Sequence, residues 1–311
     1  MEKSQEIRSR IKSVGGTRKI TKAMEMIASS KIRRAQNRIL EARAFIAGIE
    51  SVITDIASTN AVLADPLLLP HEKKDTVLVL GITADRGLCG GYNSNIIRLI
   101  EKTVKKYREK SKTVKLFIIG TRGRNYFRYM GYEMEKVFEN LSDYPRFMDA
   151  REISRDIISR YISGEVDRVV ICYTRFKNPA EQFPSLLKLL PIKLDGQIKI
   201  TDETLEVHEE LKSGTQKGKK DGLIQEFVYD PSPQDVLGSI LPEYIYTTVY
   251  GALLEATASE TGARMTAMKS ASENAEEMIK ELVLMYHRAR QQQITMEIAE
   301  IVSGAYALSG D

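Results

Sequence analysis

Two long helices, one at each end of the chain, wind antiparallel on each other, and an α/β domain is inserted between them. Three observations predict this α/β plus coiled coil class. Apolar residues repeat in heptads near the start. They do so again near the end. Between these stretches, short β-rich runs alternate with helical ones.

The first element is read from residues 3 to about 57, which contain no proline and have glycine only at 15, 16 and 48. From Ala28 the apolar positions run Ile32, Ala35, Ile39, Ala42, Ile46, Ile49, Ile53 and Ile56, in alternating steps of four and three. That rhythm makes one helix wind on another. Ile7, Ile11 and Val14 keep it upstream, and Gly15-Gly16 is expected to shift the phase. A helix over this whole stretch would be roughly 80 Å long, too long for a small domain to bury by itself.

Pro66 and Pro70 break the pattern, and the character then changes. Thr76–Thr83 reads as a buried strand, Asn93–Lys110 as a helix, and Lys115–Gly120 as a second strand. A short helix follows at Asn125–Met130, a strand near Glu133–Phe138, a helix at Ile153–Ser163 and a strand at Arg168–Tyr173. The alternation predicts a Rossmann-like α/β domain with a largely parallel sheet.

Residues 195–226 are rich in glycine and lysine and read as an exposed insertion or loop. Helical signals return from Gln234, with Pro233 just before them, and Pro242 marks either the first turn or a kink. Between Gly251 and Ala275 small residues are dense, which lets two helices approach closely. The end runs Ile294, Ile298, Ile301, Ala305, Leu308, again in steps of four and three. The predicted organisation is therefore 1–59 as the N-terminal coiled-coil helix, 75–194 as the α/β domain, 195–226 as the insertion, and 234–311 as the C-terminal coiled-coil helix.

Composition narrows the function. Among 311 residues, 42% are hydrophobic and 28% charged, an ordinary balance for a chain with a real core. No apolar run reaches the ~18 residues of a membrane span. The start, Met1-Glu2-Lys3-Ser4, has neither the apolar run of a secretory signal nor the acid-poor character of a transit peptide, so a cytosol-like chain is expected. Cys89 and Cys172 give no disulfide framework, and His71, His208 and His287 lack metal-ligand spacing. Net charge is only +4, yet Lys3–Arg43 holds twelve Lys/Arg against three acids. Such a stripe suits an acidic partner or serves as a solvated helix face.

Catalytic candidates are few. Asp85–Asn93 carries a Gly-rich turn between a strand and a helix, which is either a phosphate cradle or a tight packing turn. It lacks both Gly-x-Gly-x-x-Gly and Gly-Lys-Ser/Thr. Cys89 has no neighbouring base in sequence. Glu297 and Glu300 read as a solvated or partner-facing pair. Arg288, Arg290, Gln291, Gln292 and Gln293 form a polar belt, either an exposed face or a row of donors meeting another chain.

Four blocks carry a resemblance. They are Ile7–Val14 with Thr17–Ala28, Asp85–Gly91, Ser259–Met268, and Tyr286–Ala305 with its Ala289-Arg290-Gln291 and Glu297-Ile298-x-Glu300-Ile301-Val302-Ser303-Gly304-Ala305. Long, ordered and spread over nearly the whole chain, they resemble the gamma subunit of F-type ATP synthases.

The resemblance implies a central stalk that is not itself catalytic, with no cofactor or metal. Its coiled coil would stand inside a ring of three alpha and three beta subunits. Its foot would rest on the membrane c-ring and hold the epsilon subunit, with no nucleic acid and no transmembrane segment of its own. By matching position, Met24, Arg290, Gln291 and Thr295 are expected to contact the beta subunit. Tyr229 and Asp230 would face the rotor ring. Ile298, Ile301, Val302, Ala305 and Leu308 would form a C-terminal bearing. The implied location is the cytoplasmic side of the bacterial plasma membrane, peripheral through the complex, rather than an organellar matrix or stroma. Residues 195–226 exceed the compact bacterial pattern, and they lack the cysteine pair of chloroplast members, which excludes thiol control of that type. Two other classes make different predictions. A nucleotide-binding enzyme using the 85–93 turn would bind ATP alone, and a basic coiled-coil nucleic-acid binder would bind DNA in a salt-sensitive way.

Overall fold

The computed structural model describes residues 2–58, 65–72, 75–192 and 232–308, except the side chains of 2–3, 57–58 and 306–308. The segment 195–226, Tyr229 and Asp230 lie outside the described residues, as does the side chain of Leu308. Contacts divide the chain into two compact units, Ile32–Ala263 and Met1–Lys31 with Arg264–Asp311. Two long helices, α1 (Glu2–Ser58) and α5 (Pro233–Leu308), contribute to both.

The larger unit is built on a five-stranded sheet. Its strands are β1 (Thr76–Ile82), β2 (Thr113–Ile119), β3 (Lys136–Phe138), β4 (Arg168–Phe176) and β5 (Gln182–Leu190). Their order is β3-β2-β1-β4-β5. The first four pair in parallel, and β5 pairs antiparallel with β4. Helices α2 (Tyr92–Glu109), α3 (Thr121–Tyr129) and α4 (Phe147–Ile162) are the crossovers.

Strand alternation divides the core into two layers. Leu78, Leu80, Phe117, Ile119, Val169 and Ile171 face one side, with Ile153 and Ile157 of α4, Ile53 and Ile56 of α1, and Leu241, Ile245 and Val249 of α5. Val77, Val79, Leu116, Ile118, Val170 and Cys172 face the other, against Ile96, Ile100 and Val104 of α2 and Phe127 of α3. Gly81 explains how close α2 comes: a Cβ there would lie 2.5 Å from Ile100 Cδ1.

Several boundaries differ from those the sequence suggests. The strand β5 was not anticipated, because Pro184 sits inside it; an edge strand tolerates a residue without an N–H. Helix α4 starts at Phe147, six residues before the expected Ile153, because the Asp149 carboxylate in its first turn accepts the Arg146 N–H at 3.0 Å and the Arg146 guanidinium at 2.8 Å. Pro242 neither starts α5 nor ends it. The start is Pro233, after Ser232, whose Oγ accepts the Asp235 N–H at 3.2 Å and donates to Asp235 Oδ2 at 2.6 Å.

Within the larger unit, α1 and α5 run antiparallel. Arg43 pairs with Glu255 at 2.7 Å, and further along α1 Glu50 accepts the Tyr244 hydroxyl at 3.2 Å. Ile32, Ile39 and Ala42 pack with Leu254 and Ala258. Small residues at 252, 256 and 258 leave room for that approach.

The smaller unit contains the start of α1 and the rest of α5. On α1 the sheltered positions Ser4, Ile7, Ile11, Val14, Thr21, Glu25 and Ala28 fall in one continuous heptad frame, with Gly15 and Met24 half-buried beside it. Gly15-Gly16 therefore does not shift the phase; the seam is polar there because Arg18, Thr21 and Glu25 occupy its positions. On α5 the matching frame is Met268, Ser272, Ala275, Ile279, Leu282, Tyr286, Ala289 and Gln293. Arg18 and Glu276 join the two helices at 3.0 Å.

Candidate partner-contact surfaces

The end of α5 contains no proline and is braced along the helix ahead of its last turns. The Gln293 amide donates to Glu297 Oε1 at 2.9 Å, and the Thr295 hydroxyl donates to the Gln291 carbonyl at 2.9 Å. Counting back from the Arg18–Glu276 pair, with an equal rise of ~1.5 Å per residue in both helices, Glu2 stands opposite about residue 292. Among the described residues nothing of α1 lies opposite α5 beyond that point, and every residue from Ile294 to Ala305 is exposed.

The run Ile294, Ile298, Ile301, Ala305 is displaced by one residue from the packing frame that ends at Gln293. The periodicity alone reads this run as part of the seam between the two helices, whereas the resemblance makes Ile298, Ile301, Val302 and Ala305 a partner-facing bearing. The structure instead turns it outward, with Ile298 at 56% exposure and Ile301 at 71%. At ~100° per residue, Arg290, Gln291, Thr295, Ile298, Ile301, Val302 and Ala305 all fall within an arc of about 140°. Seven of the expected contact residues thus share one exposed face. Glu297 borders that arc, about 20° beyond Arg290, Glu300 lies further round the helix, and both are exposed. Met24 is on α1, half-buried, next to Glu25, whose carboxylate accepts Lys22 Nζ at 3.0 Å.

The basic stripe is partly consumed by the fold. Arg38 donates to the Pro145 carbonyl and the Tyr250 hydroxyl, and Arg10, Arg18, Lys22 and Arg43 each pair with a glutamate. Arg8, Lys12, Lys19, Arg33 and Arg34 are exposed, with no ion pair or hydrogen bond among the described residues. The sequence reading missed a second apolar set. Ile20, Met26 and Ile27 of α1 and Met278, Leu284 and Met285 of α5 are each half or more exposed. The signal was available, since all six fall outside the heptad frames.

The 85–93 turn can be judged from its surroundings. In a doubly wound sheet, ligands bind beyond the strand ends where the order reverses, which here means between β1 and β4. Helix α5 occupies that crevice. The Ser259 hydroxyl donates to the Thr174 carbonyl at 3.1 Å, Glu255 Oε2 accepts the Phe176 N–H at 3.3 Å, and Ala263 packs on Ala84, Cys89 and Tyr92.

The turn's own polar groups are engaged as well. The Ala84 N–H donates to Asn93 Oδ1 at 3.0 Å. Asp85 accepts the Thr121 N–H and hydroxyl, each at 3.0 Å, and the Ser142 N–H at 3.1 Å. Partial burial opposes the charge on Asp85, but these donors outweigh it and hold the carboxyl below its ordinary range. The arrangement is that of a packing turn. Cys89 is buried within it, and neither described histidine is beside it: His71 pairs with Asp167, and His287 follows Tyr286 in the smaller unit. Among the described residues no cluster of His, Cys, Asp or Glu has metal-binding geometry, and no helix is long and apolar enough to cross a membrane.

Comparison with known proteins gives a consistent result. The family model described as ATP synthase matches residues 3–308. The chain is 41% identical to the ATP synthase gamma chain of Desulforamulus reducens over 308 residues, covering 99% of this chain and all of that one. It is also 41% identical to the gamma chain of Moorella thermoacetica, with the same coverage. Among solved structures, the central stalk and c-ring of the Tetrahymena thermophila mitochondrial ATP synthase gives a TM-score of 0.56 at 24% identity, covering 81% of this chain and 99% of that one. A chain of the Euglena gracilis mitochondrial ATP synthase gives 0.63 at 17% identity, covering 99% of this chain and 95% of that one.

Proposed function

The chain belongs to the ATP synthase gamma-chain family, and from that premise we propose that it is the central-stalk rotor subunit of an F-type ATP synthase. In this reading it is not catalytic. It couples proton-driven rotation of the membrane c-ring to ATP synthesis or hydrolysis at sites on three alpha and three beta subunits, and it holds the epsilon subunit at its foot. The complex sits on the cytoplasmic face of a bacterial membrane.

One observation carries the proposal. The end of α5 runs on past its packing partner and presents an apolar face, Ile294 to Ala305, without a counterpart among the described residues. An exposed stripe of this kind marks an interaction surface. Apolar contact is non-directional, so a collar around such a tip can slide as the tip turns. Polar Arg290, Gln291 and Thr295 stand at the base of the same face. Hydrogen bonds from them to beta-subunit loops would form at some angles and break at others. The unpaired cations of α1 suit acidic loops, and exposed ion pairs worth only about 0–1 kcal/mol each release easily. Tyr229 and Asp230 are proposed to face the ring.

Reconstitution tests the proposal. The purified chain is mixed with alpha and beta subunits of a matching enzyme, and assembly and ATP hydrolysis are measured, with the chain alone as control. Assembly at one copy per six partners, with activity only in the mixture, is expected. Arg290→Ala and Gln291→Ala should impair turnover of the assembled complex without changing the chain's own melting. Wild-type synthesis and hydrolysis in both variants would remove these residues from the coupling contact, and hydrolysis by the chain alone would overturn the non-catalytic role.

A further inference from the structure

The side of the sheet that α1 and α5 leave free is covered by α2 and α3, and this layer carries a charge that the rotor reading does not use. From Asn93 to Tyr132, through α2, β2 and α3, there are eleven Lys/Arg against two acids, a net +9 where the whole chain has +4. We propose that the outer face of this layer docks on an anionic membrane surface, with its lysines and arginines on lipid phosphates and with Tyr129 and Met130 in the headgroup region.

The charge follows from how α2 is built. Ile96, Ile97, Ile100 and Val104 are buried against the sheet. At ~100° per residue, Arg98, Lys102 and Lys105 fall within an arc of about 60° on the opposite side, and all three are exposed. The fold consumes some of the layer's cations: Lys112 pairs with Asp75 at 3.3 Å, Lys115 with Glu165, and Arg124 with Glu139 at 2.7 Å. Arg98, Lys102, Lys105, Lys110 and Arg128 are exposed, with no side-chain ion pair or hydrogen bond among the described residues. Of the two acids, Glu101 is half-buried and hydrogen-bonded with Tyr126, which leaves Glu109. Even with the exposed Glu133 just beyond, the unpaired cations outnumber the acids.

An aromatic residue stands at the basic end. The Arg108 guanidinium lies over the Tyr132 ring at 5.4 Å and joins the end of α2 to the turn after α3. Tyr129, 88% exposed, and Met130, 49% exposed, are at that same end. A cluster of Lys and Arg on an amphipathic helix attracts anionic headgroups, and a ring with a polar tip suits the headgroup level. Three of the five unpaired cations are lysines, flexible point charges that suit mobile headgroups better than a fixed pattern of carboxylates.

The fold also sets where this end lies. The Thr113 N–H donates to the Asp75 carbonyl at 2.7 Å, so α2 ends where β1 and β2 begin. Segment 65–71 starts with Asp65 beside Gly238, in the first turns of α5, and reaches the start of β1. There His71 pairs with Asp167, which accepts the Thr76 N–H at 2.8 Å. The basic end of α2 and the start of α5 thus lie toward the same edge of the domain. In the rotor reading, on which this placement rests, the chain just before α5 faces the membrane ring, so the basic end is the membrane-proximal one.

The test is co-sedimentation of the purified full chain with vesicles of phosphatidylcholine alone and of phosphatidylcholine mixed with phosphatidylglycerol. Binding to the mixed vesicles only, weakening as salt is added, is expected. Each cation near the surface is worth roughly a five-fold factor, so the triple variant Arg98→Gln, Lys102→Gln, Lys105→Gln should bind about a hundred-fold more weakly. Removing as many charges from α1, by Arg8→Gln, Lys12→Gln and Lys19→Gln, should cost only about three-fold through the general field. The chain has no tryptophan, so Tyr129→Trp is a single reporter whose emission should shift to the blue on the mixed vesicles. All variants are checked for unchanged circular dichroism and melting. Equal binding to neutral vesicles, an equal loss in the α1 variant, an unshifted emission, or tighter binding to polyglutamate than to the mixed vesicles would overturn the proposal. Assembly with alpha and beta subunits but no vesicle binding would overturn this contact and leave the rotor reading intact; vesicle binding without assembly would do the reverse.

Discussion

Removing either partner of the Arg43–Glu255 pair should cost unequal amounts, and the structure sets the direction. The Glu255 side chain is 12% exposed and the Arg43 side chain 46% exposed, at 2.7 Å separation. Arg43→Leu strands a buried carboxylate, which retains only the Phe176 N–H at 3.3 Å. That loss belongs at the low end of the range for breaking a buried pair, about 3 kcal/mol. Glu255→Gln leaves a guanidinium that water can reach and a carboxamide oxygen that still accepts from Phe176, so about 1 kcal/mol is lost. The difference of about 2 kcal/mol is roughly a thirty-fold ratio of opening equilibria. Hydrogen exchange at the β4 amides reads this locally, which matters because a chain of two compact units need not unfold in one step. Equal protection in the two variants, or greater loss in Glu255→Gln, would refute the assignment of Glu255 as the buried, dependent charge.

Three further outcomes are expected. Gly120 has φ +99°, and a Cβ there would lie 2.3 Å from the Thr83 carbonyl oxygen, so Gly120→Ala should destabilise by more than about 2 kcal/mol; a melting temperature within a degree of wild type would contradict this. Asp85→Asn should destabilise at neutral pH by about 1–3 kcal/mol. Because the folded pKa of Asp85 is depressed, its stabilisation is present above the ordinary carboxylate range and fades as pH falls through the folded value, so wild type and variant should converge in acid. Thermal melts from pH 7 to pH 3 would show this, and a constant gap would count against it. Burial pushes the Cys172 thiol up to about 12, so maleimide at pH 8 should modify it only after unfolding; labelling of the native chain at the rate of a free thiol would show that β4 opens.

Much of this was legible because the two periodicities are strong. Heptads marked both helices, and continuous apolar runs such as Val77–Leu80 marked strands buried on both faces. Legibility failed where local chemistry overrode pattern. Gly123 disguised the start of α3, four residues before the expected Asn125, and Pro184 disguised β5. The apolar run 294–308 was readable as apolar and periodic. Its direction was not, because facing inward or outward depends on a one-residue offset from Gln293 and on where α1 begins.

The crevice filled by α5 also imposes an order of events during synthesis. The last strand of the sheet ends at Leu190, but the residues that close the β1–β4 crevice, Glu255 to Ala263, come about seventy positions later. At ~5–20 residues per second, a ribosome needs roughly 4–14 s to deliver them. Throughout that interval the nascent sheet has all its strands, yet one layer still lacks Leu241, Ile245 and Val249. The domain is thus a late-closing one, exposed to chaperones and proteases until almost the whole chain has been made.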